Sequence, residues 1–182
     1  KPILQTIIKG FKDCGFKDLI ICVNYKSHII EKYFGKGEKF GVKIEYIREK
    51  KKMGTAGALS LAKQKLTEPF FVINGDLLTN LDFGKMLDFH NSHNAIATMS
   101  VKEYSINSPY GEVNLRDENI YSINEKPSYK FFANAGIYIL DPECIKLVPK
   151  KFFDMTTLLK KIILTKKKQF LFHWMNTGKT SA

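Results

Sequence analysis

The chain has 182 residues, 44% of them apolar, and it contains 14 Phe. This is enough apolar sequence for one folded domain with its own core, and it excludes an intrinsically disordered chain. No apolar run approaches the ~18 residues that a membrane-spanning helix needs, so we expect no membrane partner.

The net charge of +11 would by itself suit a nucleic-acid-binding protein. However, Arg48 and Arg116 are the only arginines, so 27 of the 29 basic residues are lysines, and most of these are scattered. Nucleic-acid readers depend on the bidentate guanidinium group. We therefore predict a solvated lysine-rich surface and no nucleic-acid partner, although such a surface still attracts small anionic substrates.

The chain contains three cysteines, Cys14, Cys22 and Cys144. Their number is odd and they form no C-x-x-C pair. Because structural disulfides are typical of secreted proteins, we predict reduced thiols in a cytoplasmic protein.

The first half of the chain alternates helices and strands. Residues Leu4, Ile7, Ile8 and Phe11 recur at helical spacing, which predicts a helix over 3–13. A strand from 18 to 25 should follow, and then a helix that Ser27 caps and whose inner face carries Ile29, Ile30, Tyr33 and Phe34. The next expected elements are a strand from 42 to 47, a helix from 54 to 66, and a buried strand from 70 to 73.

The second half is richer in strands. We expect a helix over 82–93, a strand over 95–102, a hairpin within 110–127 that turns at 116–119, a strand over 134–140, a short helix after 141, a helix over 153–164 and a strand over 169–174. Strands and helices alternating at this spacing predict an α/β fold with a mixed, mostly parallel sheet flanked by helices and a β-rich elaboration.

The strand over 70–73 leads directly into Asn74, Gly75 and Asp76. In open α/β sheets, ligands bind beyond the carboxyl ends of the strands. A carboxylate there suits Mg²⁺, which takes one or two protein carboxylates and completes its shell with phosphate oxygens and water. The alternative is a turn residue or a helix N-cap, since Asn-Gly-Asp favours turns.

A second candidate site is the segment KKMGTAGALS, in which Gly54 and Gly57 flank Thr55 and Ala56 at a helix start. Free N–H groups at a helix start attract anions or polar base edges. The alternative is a tightly packed helix start with no ligand.

The third candidate is INEKPSYK, where Glu125 and Lys126 precede Pro127 at the end of a strand. A Glu can accept hydrogen bonds from sugar hydroxyls while the adjacent Lys contacts a phosphate. The alternative is a surface ion pair. Asp88, His90 and His93 have helical metal-ligand spacing, but without further ligands we expect them at the surface.

Seven stretches together resemble the sugar-phosphate nucleotidyltransferases, which make NDP-sugars from an NTP and a sugar 1-phosphate. The stretches are KPILQTIIKGFKDCGFKDLIICVNY, YFGKGEKFGVKIEYI, MGTAGALSLA, PFFVINGDLLTNLDF, PYGEVN, EKP and FFANAGIYIL. Each is weak alone, whereas the ordered set covers nearly the whole chain. The bacterial guanylyltransferase-like members, which activate mannose 1-phosphate or glucosamine 1-phosphate, are the most similar.

This resemblance implies a Rossmann-like nucleotide-diphospho-sugar transferase fold, over 1–182 as a single domain with a β-rich sugar-binding part. It implies that Asp76 binds a catalytic Mg²⁺ and that Lys126 contacts the sugar phosphate, whose oxygen attacks the α-phosphorus of the NTP so that pyrophosphate leaves. The residues it assigns to substrate binding are Gly54, Thr55 and Gly57 at the nucleotide base, Asn74 and Gly75 beside the metal, and Gly111, Glu125 and Asn134 at the sugar. A homo-oligomer is compatible with the resemblance.

The chain departs from the family pattern at both ends. The family's Gly-rich triphosphate loop and first strand would precede Lys1, so we expect a domain that is truncated there and has an open strand edge in the middle of its sheet. At the other end, HWMNTGKTSA resembles Trp-x-Asp-x-Gly in shortened form, with Asn176 in place of the second metal-binding Asp.

Three other functions compete with a nucleotidyltransferase. A metal-dependent glycosyltransferase should carry Asp-x-Asp, and this chain has Asn74-Gly75-Asp76 instead. A non-catalytic copy that binds nucleotide sugars or protein partners would fit the missing loop. A nucleic-acid binder would show binding that depends steeply on salt.

Overall fold

The computed structural model describes residues 1–173. Its α-helices are α1 Ile3–Asp13, α2 Ser27–Phe34, α3 Gly54–Gly57, α4 Leu59–Ala62, α5 Phe83–Ser92 and α6 Met155–Leu164. Its strands are β1 Asp18–Val23, β2 Lys43–Arg48, β3 Phe70–Ile73, β4 Ala97–Asn107, β5 Glu112–Arg116, β6 Asn119–Asn124, β7 Ser128–Leu140 and β8 Gln169–His173. Two short 3-10 helices cover Glu38–Phe40 and Pro142–Leu147.

The strands form three groups. β1 and β2 pair in parallel, and β3, β7, β4 and β8 form a four-stranded sheet in that order. β5 and β6 form an antiparallel hairpin. In the four-stranded sheet β7 runs opposite to β3, β4 and β8, which therefore share one direction. This agrees with the expected α/β class and with a mixed sheet in which one direction predominates.

β1 and β3 lie near each other although they belong to different sheets. The ring of Phe16, just before β1, lies 5.2 Å from that of Phe71 in β3. Within the described residues, however, β1 pairs only with β2 and β3 pairs only with β7. Among the described residues, each of these strands thus has one edge without a strand partner.

A groove of about 670 Å³ separates the two open edges, and we call it the central groove. Its walls are residues 18–22 of β1 and 70–73 of β3. One of its faces comes from Leu4, Ile7, Ile8 and Phe11 of α1, and the other from Leu59 and Ala62 of α4 together with Leu66.

Helix α1 holds the two sheets together across this groove. Ile7 and Phe11 pack in one core cluster with Phe71 and Ile73, while Ile8 packs in another with Phe34 and Ile44. The predicted apolar stripe therefore has two faces, one toward each sheet. A third cluster, on the α6 side of the four-stranded sheet, contains Tyr138, Leu140, Leu158 and Ile162.

Two predictions about helices are wrong. In α2, Ile29 and Tyr33 are exposed, and Lys26 rather than Ser27 occupies the N-cap position. The single helix expected over 54–66 is two short helices, α3 and α4. In addition, among the described residues no helix is long and apolar enough to cross a membrane.

Candidate active site

Asp76 lies at the carboxyl end of β3, as the sequence predicts. Asn74 follows the strand and Gly75 and Asp76 form a turn, in which the Leu77 N–H donates a 3.4 Å hydrogen bond to the Asn74 carbonyl. Asp76 is exposed, and within residues 1–173 it makes no ion pair. Its carboxylate is therefore open to a ligand in solution.

Gly136 joins this turn to β7. The Asn74 N–H donates to the Gly136 carbonyl at 3.3 Å. Gly136 has φ +72°, and a Cβ there would lie 3.0 Å from both Asn74 Nδ2 and Leu77 Cδ1. Only glycine fits both the backbone and the close approach. Gly136 was not singled out from the sequence, although its signal, the Asn-Ala-Gly triplet, was noted.

Asn134 lies two residues before Gly136, and internal hydrogen bonds hold its side chain. Its Oδ1 accepts from the Gly136 N–H at 2.9 Å, and its Nδ2 donates to the Tyr138 hydroxyl at 2.7 Å. Burial raises the pKa of Tyr138, and the hydrogen bond from Asn134 opposes this rise. Asn134 also lines a second groove of about 640 Å³ beside Leu77. A fixed amide at the edge of a groove can present its remaining hydrogen-bonding capacity to a ligand.

The Gly54–Gly57 segment is a packed helix start, which is the second of the two alternatives left open by the sequence. The Thr55 N–H donates to Asp154 Oδ1 at 3.2 Å, and the Ala56 and Gly57 N–H groups both donate to the Phe153 carbonyl at 2.9 Å. These amides are therefore occupied and do not form an anion site.

Both glycines of this segment are required by close contacts. A Cβ on Gly54 would lie 2.7 Å from Asp154 Oδ1, and a Cβ on Gly57 would lie 2.6 Å from the Lys151 carbonyl oxygen. Gly54 and Thr55 nevertheless line the central groove together with Gly75. The groove therefore connects this segment to the carboxyl end of β3.

Asp154 is a site residue that sequence reasoning missed. An Asp directly before a helix is typical of an N-cap, but here its side chain caps no amide of α6 and instead binds the Thr55 backbone and hydroxyl. The sequence contains a signal for a cap but none for a partner 99 residues away.

The third candidate site, around Glu125 and Lys126, lies where the β5–β6 hairpin joins β7. Gly111 and Glu125 are neighbours, since a Cβ on Gly111 would lie 3.1 Å from Glu125 Oε2. Lys126 is exposed and has φ +46°, a left-handed conformation that non-glycine residues rarely adopt. Neither Glu125 nor Lys126 is in an ion pair within the described part of the chain. The alternative of a surface ion pair at these two residues therefore has no support there.

The structure brings some of these groups together and separates others. Gly54, Thr55 and Gly75 share the central groove, and Asn134 reaches the Asn74–Asp76 turn through Gly136. Glu125 and Lys126 precede β7, in which Ser128 and Asn134 are six residues apart, or about 20 Å of extended chain. No hydrogen bond within residues 1–173 links the two ends of that span.

The turn after β3 offers Mg²⁺ one carboxylate ligand, that of Asp76. Among the described residues no group of three or more His, Cys, Asp or Glu side chains could hold a metal. Mg²⁺ does not need such a group, because substrate phosphates and water complete its shell. Asp76 is therefore the one described residue of this turn that could hold Mg²⁺, and Asn176, the other predicted ligand, lies outside the described residues.

The Asp88, His90 and His93 triad is not a metal site. His90 is only 2% exposed, so the expectation that it lies at the surface is wrong. Its Nδ1 lies 2.8 Å from Thr98 Oγ1, and burial lowers the pKa of its imidazole. The residue is part of the core between α5 and β4.

A family model described as nucleotidyl transferase matches residues 1–182. The catalytic subunit beta of mannose-1-phosphate guanylyltransferase from Dictyostelium discoideum is 36% identical over 158 residues, which is 83% of this chain and 44% of that protein. The mannose-1-phosphate guanyltransferase of Saccharomyces cerevisiae is 31% identical over 196 residues, which is 98% of this chain and 53% of that protein.

Solved structures show the same fold. HddC from Yersinia pseudotuberculosis aligns with a TM-score of 0.71 at 26% identity, over 95% of this chain and 76% of that one. A structure of HddC complexed with GMP-PN aligns equally well, at 24% identity over 96% of this chain and 77% of that one. The chain spans about half the length of the curated relatives it matches.

Proposed function

Because the chain belongs to the nucleotidyl transferase family, we propose that it acts in the transfer of a nucleotidyl group to a sugar 1-phosphate, with guanine as the base. The observation that carries this proposal is the exposed Asp76 carboxylate at the carboxyl end of β3, whose neighbours Gly75 and Leu77 line the central groove and the groove beside Asn134, respectively. The guanylyl specificity is supported by the names of the relatives in Dictyostelium and yeast.

Each candidate site residue has a proposed part in this reaction. Asp76 would hold a Mg²⁺, and a bound Mg²⁺ neutralises phosphate charge and draws the reacting phosphates into line. Gly54, Thr55 and Gly75 would accept the nucleotide in the central groove. Gly54 and Gly75 place no side chain in the groove, and the Thr55 hydroxyl is already bound to Asp154 and Met155.

The sugar 1-phosphate would bind on the β7 side. Asn134, with its amide held by Gly136 and Tyr138, would orient the sugar together with Gly111 and Glu125. Lys126 would meet the sugar phosphate as a point charge. No side-chain nucleophile is needed, because the phosphate oxygen of the sugar attacks the α-phosphorus and pyrophosphate leaves.

Thermal unfolding with ligands tests this proposal. The full chain would be heated with GTP, GDP-mannose and other NDP-sugars, with and without Mg²⁺. A ligand at ~100 times its dissociation constant adds about 2.7 kcal/mol, which raises the midpoint by about 5–10 °C for a chain of this size. A shift that requires Mg²⁺ supports the proposal, and the ligand that causes it identifies base and sugar.

The matched variants are Asp76→Asn and Asp88→Asn, which remove one exposed carboxylate each. Asp76→Asn should abolish the Mg²⁺-dependent shift and leave the unliganded midpoint unchanged, whereas Asp88→Asn should retain the shift. An unaltered metal dependence in Asp76→Asn would refute the assignment of the site. A shift that no variant or metal affects would favour the non-catalytic alternative.

A further inference from the structure

Strand β7 contains a bulge beside the groove of about 640 Å³. Tyr138 of β7 pairs with Met99 of β4, and Asn134 of β7 pairs with Val101 of β4. Between these two pairs β4 has one residue and β7 has three, so β7 carries two extra residues in a bulge centred on Gly136. Bulges redirect side chains and are common next to active sites.

The bulge brings the side chains of Asn134 and Tyr138 together. Residues four apart in a regular strand are separated by about 13 Å. Here Asn134 Nδ2 donates to the Tyr138 hydroxyl at 2.7 Å, while Asn134 Oδ1 accepts from the Gly136 N–H at 2.9 Å. Asn134 lines the groove together with Ala135 and Ile137 of the bulge. The irregular path of β7 therefore places a doubly hydrogen-bonded amide in the wall of the groove.

These two hydrogen bonds determine the orientation of the Asn134 amide. The Gly136 N–H can only donate, so Oδ1 must face it, and Nδ2 is then directed at Tyr138. A side-chain amide has two N–H donors and two lone pairs on its oxygen, so one N–H and one lone pair stay available. A sugar hydroxyl both donates and accepts, and it can pair with either of these groups.

Tyr138 is itself fixed in the core. It is 4% exposed and lies in one core cluster with Leu140 and Leu158. Its strand is paired on both sides, with Val72 of β3 on one side and Met99 of β4 on the other. A hydroxyl on a packed ring in such a strand is an acceptor of fixed position, and a group of this kind can hold a binding residue in one geometry.

We propose that Tyr138 is a positioning residue for sugar recognition: its hydroxyl holds the Asn134 amide in the orientation that binds a hydroxyl of the sugar. This inference rests on the proposed function, in which Asn134 contacts the sugar. Tyr138 acts through Asn134 and does not contact the substrate. Removal of its hydroxyl should therefore weaken the contribution of the sugar to binding and leave that of the nucleotide unchanged.

The test compares GDP-mannose with GDP, which share the nucleotide and differ in the sugar. Calorimetric titration with Mg²⁺ present gives both dissociation constants for the full chain and for Tyr138→Phe. We expect Tyr138→Phe to bind GDP-mannose about three- to tenfold more weakly, the usual effect of one hydrogen bond, and to bind GDP as before. A merely structural role of the hydroxyl would weaken the binding of both ligands by the same factor.

Tyr46→Phe is the matched control. It also removes a hydrogen-bonded hydroxyl, which donates to the Gly35 carbonyl at 2.8 Å, but it does so in β2. Both dissociation constants should stay unchanged in this variant. If Tyr46→Phe weakened GDP-mannose as much as Tyr138→Phe does, the loss would not be specific to Asn134 and the proposal would be wrong.

A double-mutant cycle tests whether Tyr138 acts through Asn134. Asn134→Ala should weaken the binding of GDP-mannose, and Tyr138→Phe added to it should cause no further loss. Additive losses would overturn the proposal. In the absence of ligand, nitrogen-15 relaxation of the Asn134 side-chain amide should show a lower order parameter in Tyr138→Phe than in the unaltered chain. An equal order parameter would also overturn it.

The binding data separate this inference from the proposed function. If the unaltered chain binds neither GDP-mannose nor GDP, the proposed function is wrong and the role of Tyr138 falls with it. If the unaltered chain binds GDP-mannose more tightly than GDP but Tyr138→Phe changes neither constant, or changes both by the same factor, the positioning role alone is wrong. Equal affinity of the unaltered chain for the two ligands would show that the sugar is not recognised, which also refutes the role of Tyr138.

Discussion

Thr55 and Asp154 are joined by two hydrogen bonds although 99 residues separate them. The Thr55 N–H donates to Asp154 Oδ1 at 3.2 Å, and its hydroxyl donates to the same oxygen at 3.4 Å. The Thr55 hydroxyl oxygen also accepts from the Met155 N–H at 2.8 Å. The start of α3 is thereby fixed to the start of α6, and the position of Gly54 beside the central groove depends on this connection.

The first prediction tests the Thr55 hydroxyl. Thr55→Val keeps the shape of the side chain but leaves the Met155 N–H without its acceptor, and Met155 is buried. We expect a loss of about 1–3 kcal/mol in the free energy of unfolding, measured by urea denaturation. Thr55→Ser keeps the hydroxyl and should lose much less. Equal losses in the two variants would mean that packing, and not the hydrogen bonds, holds the two helix starts together.

The second prediction compares two glycines, Gly57 in α3 and Gly75 directly after β3. In Gly57→Ala the new Cβ would meet the Lys151 carbonyl oxygen at 2.6 Å, so the backbone must shift, whereas a Cβ on Gly75 meets nothing within 4 Å. Gly57→Ala should therefore cost about 1–3 kcal/mol of unfolding free energy, and Gly75→Ala about 0.5 kcal/mol or less. Denaturation of the two variants side by side measures this. Similar stabilities would show that the segment 151–154 can move away from α3.

Sequence pattern was sufficient where apolar residues face one core. The bounds of α1 and β3 were predicted closely, because their apolar residues recur with the period of the element. β4 and β7 extend well past their predicted bounds, since their outer halves are exposed and contain no buried alternation. The exposed halves of these two strands are held by hydrogen bonds to each other. The local sequence pattern does not reveal such pairing between distant segments.

The remaining errors arise from hydrogen bonds that the apolar pattern does not show. The helix expected over 54–66 is interrupted at Ala58, where the Leu61 N–H donates to the Ala58 carbonyl at 2.9 Å and the Ser60 hydroxyl donates to the Gly57 carbonyl at 2.7 Å. Asp76, in contrast, was identified correctly as a strand-end residue, because the strand and the turn after it are both local signals. Its ligand remains a proposal.

The third prediction is the order in which the cysteines react with a maleimide at pH 8. Cys14 is exposed and should react first. The Cys22 side chain is also exposed, but desolvation of its thiol by the surrounding protein, with a contribution from Glu49, raises its pKa to about 11, so roughly one thiol in 1,000 is ionised at this pH. Burial raises the pKa of Cys144 to about 12, and that thiol is enclosed, so it should react last.

Mass spectrometry of the labelled chain measures these rates, and labelling in urea, where all three should react alike, is the control. Glu49→Gln keeps an acceptor for the Met53 N–H but removes the charge, so Cys22 should react faster while Cys14 does not change. If Cys22 reacted as fast as Cys14 in the native chain, Cys22 would not lie in the central groove as described.

The last prediction concerns acid stability and His90. Burial lowers the pKa of this imidazole in the folded chain, while in the unfolded chain it remains near 6.5. Below pH 6.5 the unfolded state therefore binds a proton that the folded state does not, and stability falls as the pH falls. Asp141, whose charge opposes the shift, is the acidic group that acts on the ring. The loss should approach about 1.4 kcal/mol per pH unit until the folded-state pKa is reached.

The measurement is urea denaturation at pH 7.5 and pH 5.5 for three chains. His90→Asn cannot titrate and can still bond to Thr98, so its stability should fall by less between the two pH values than that of the unaltered chain. His28→Asn removes an exposed histidine and should leave the pH dependence unchanged. Because carboxylates affect all three chains equally, the difference between His90→Asn and the unaltered chain isolates the buried imidazole. If that difference is absent, the pKa of His90 is not lowered in the folded chain. The imidazole is then protonated in the core at pH 5.5, with Thr98 accepting its hydrogen bond.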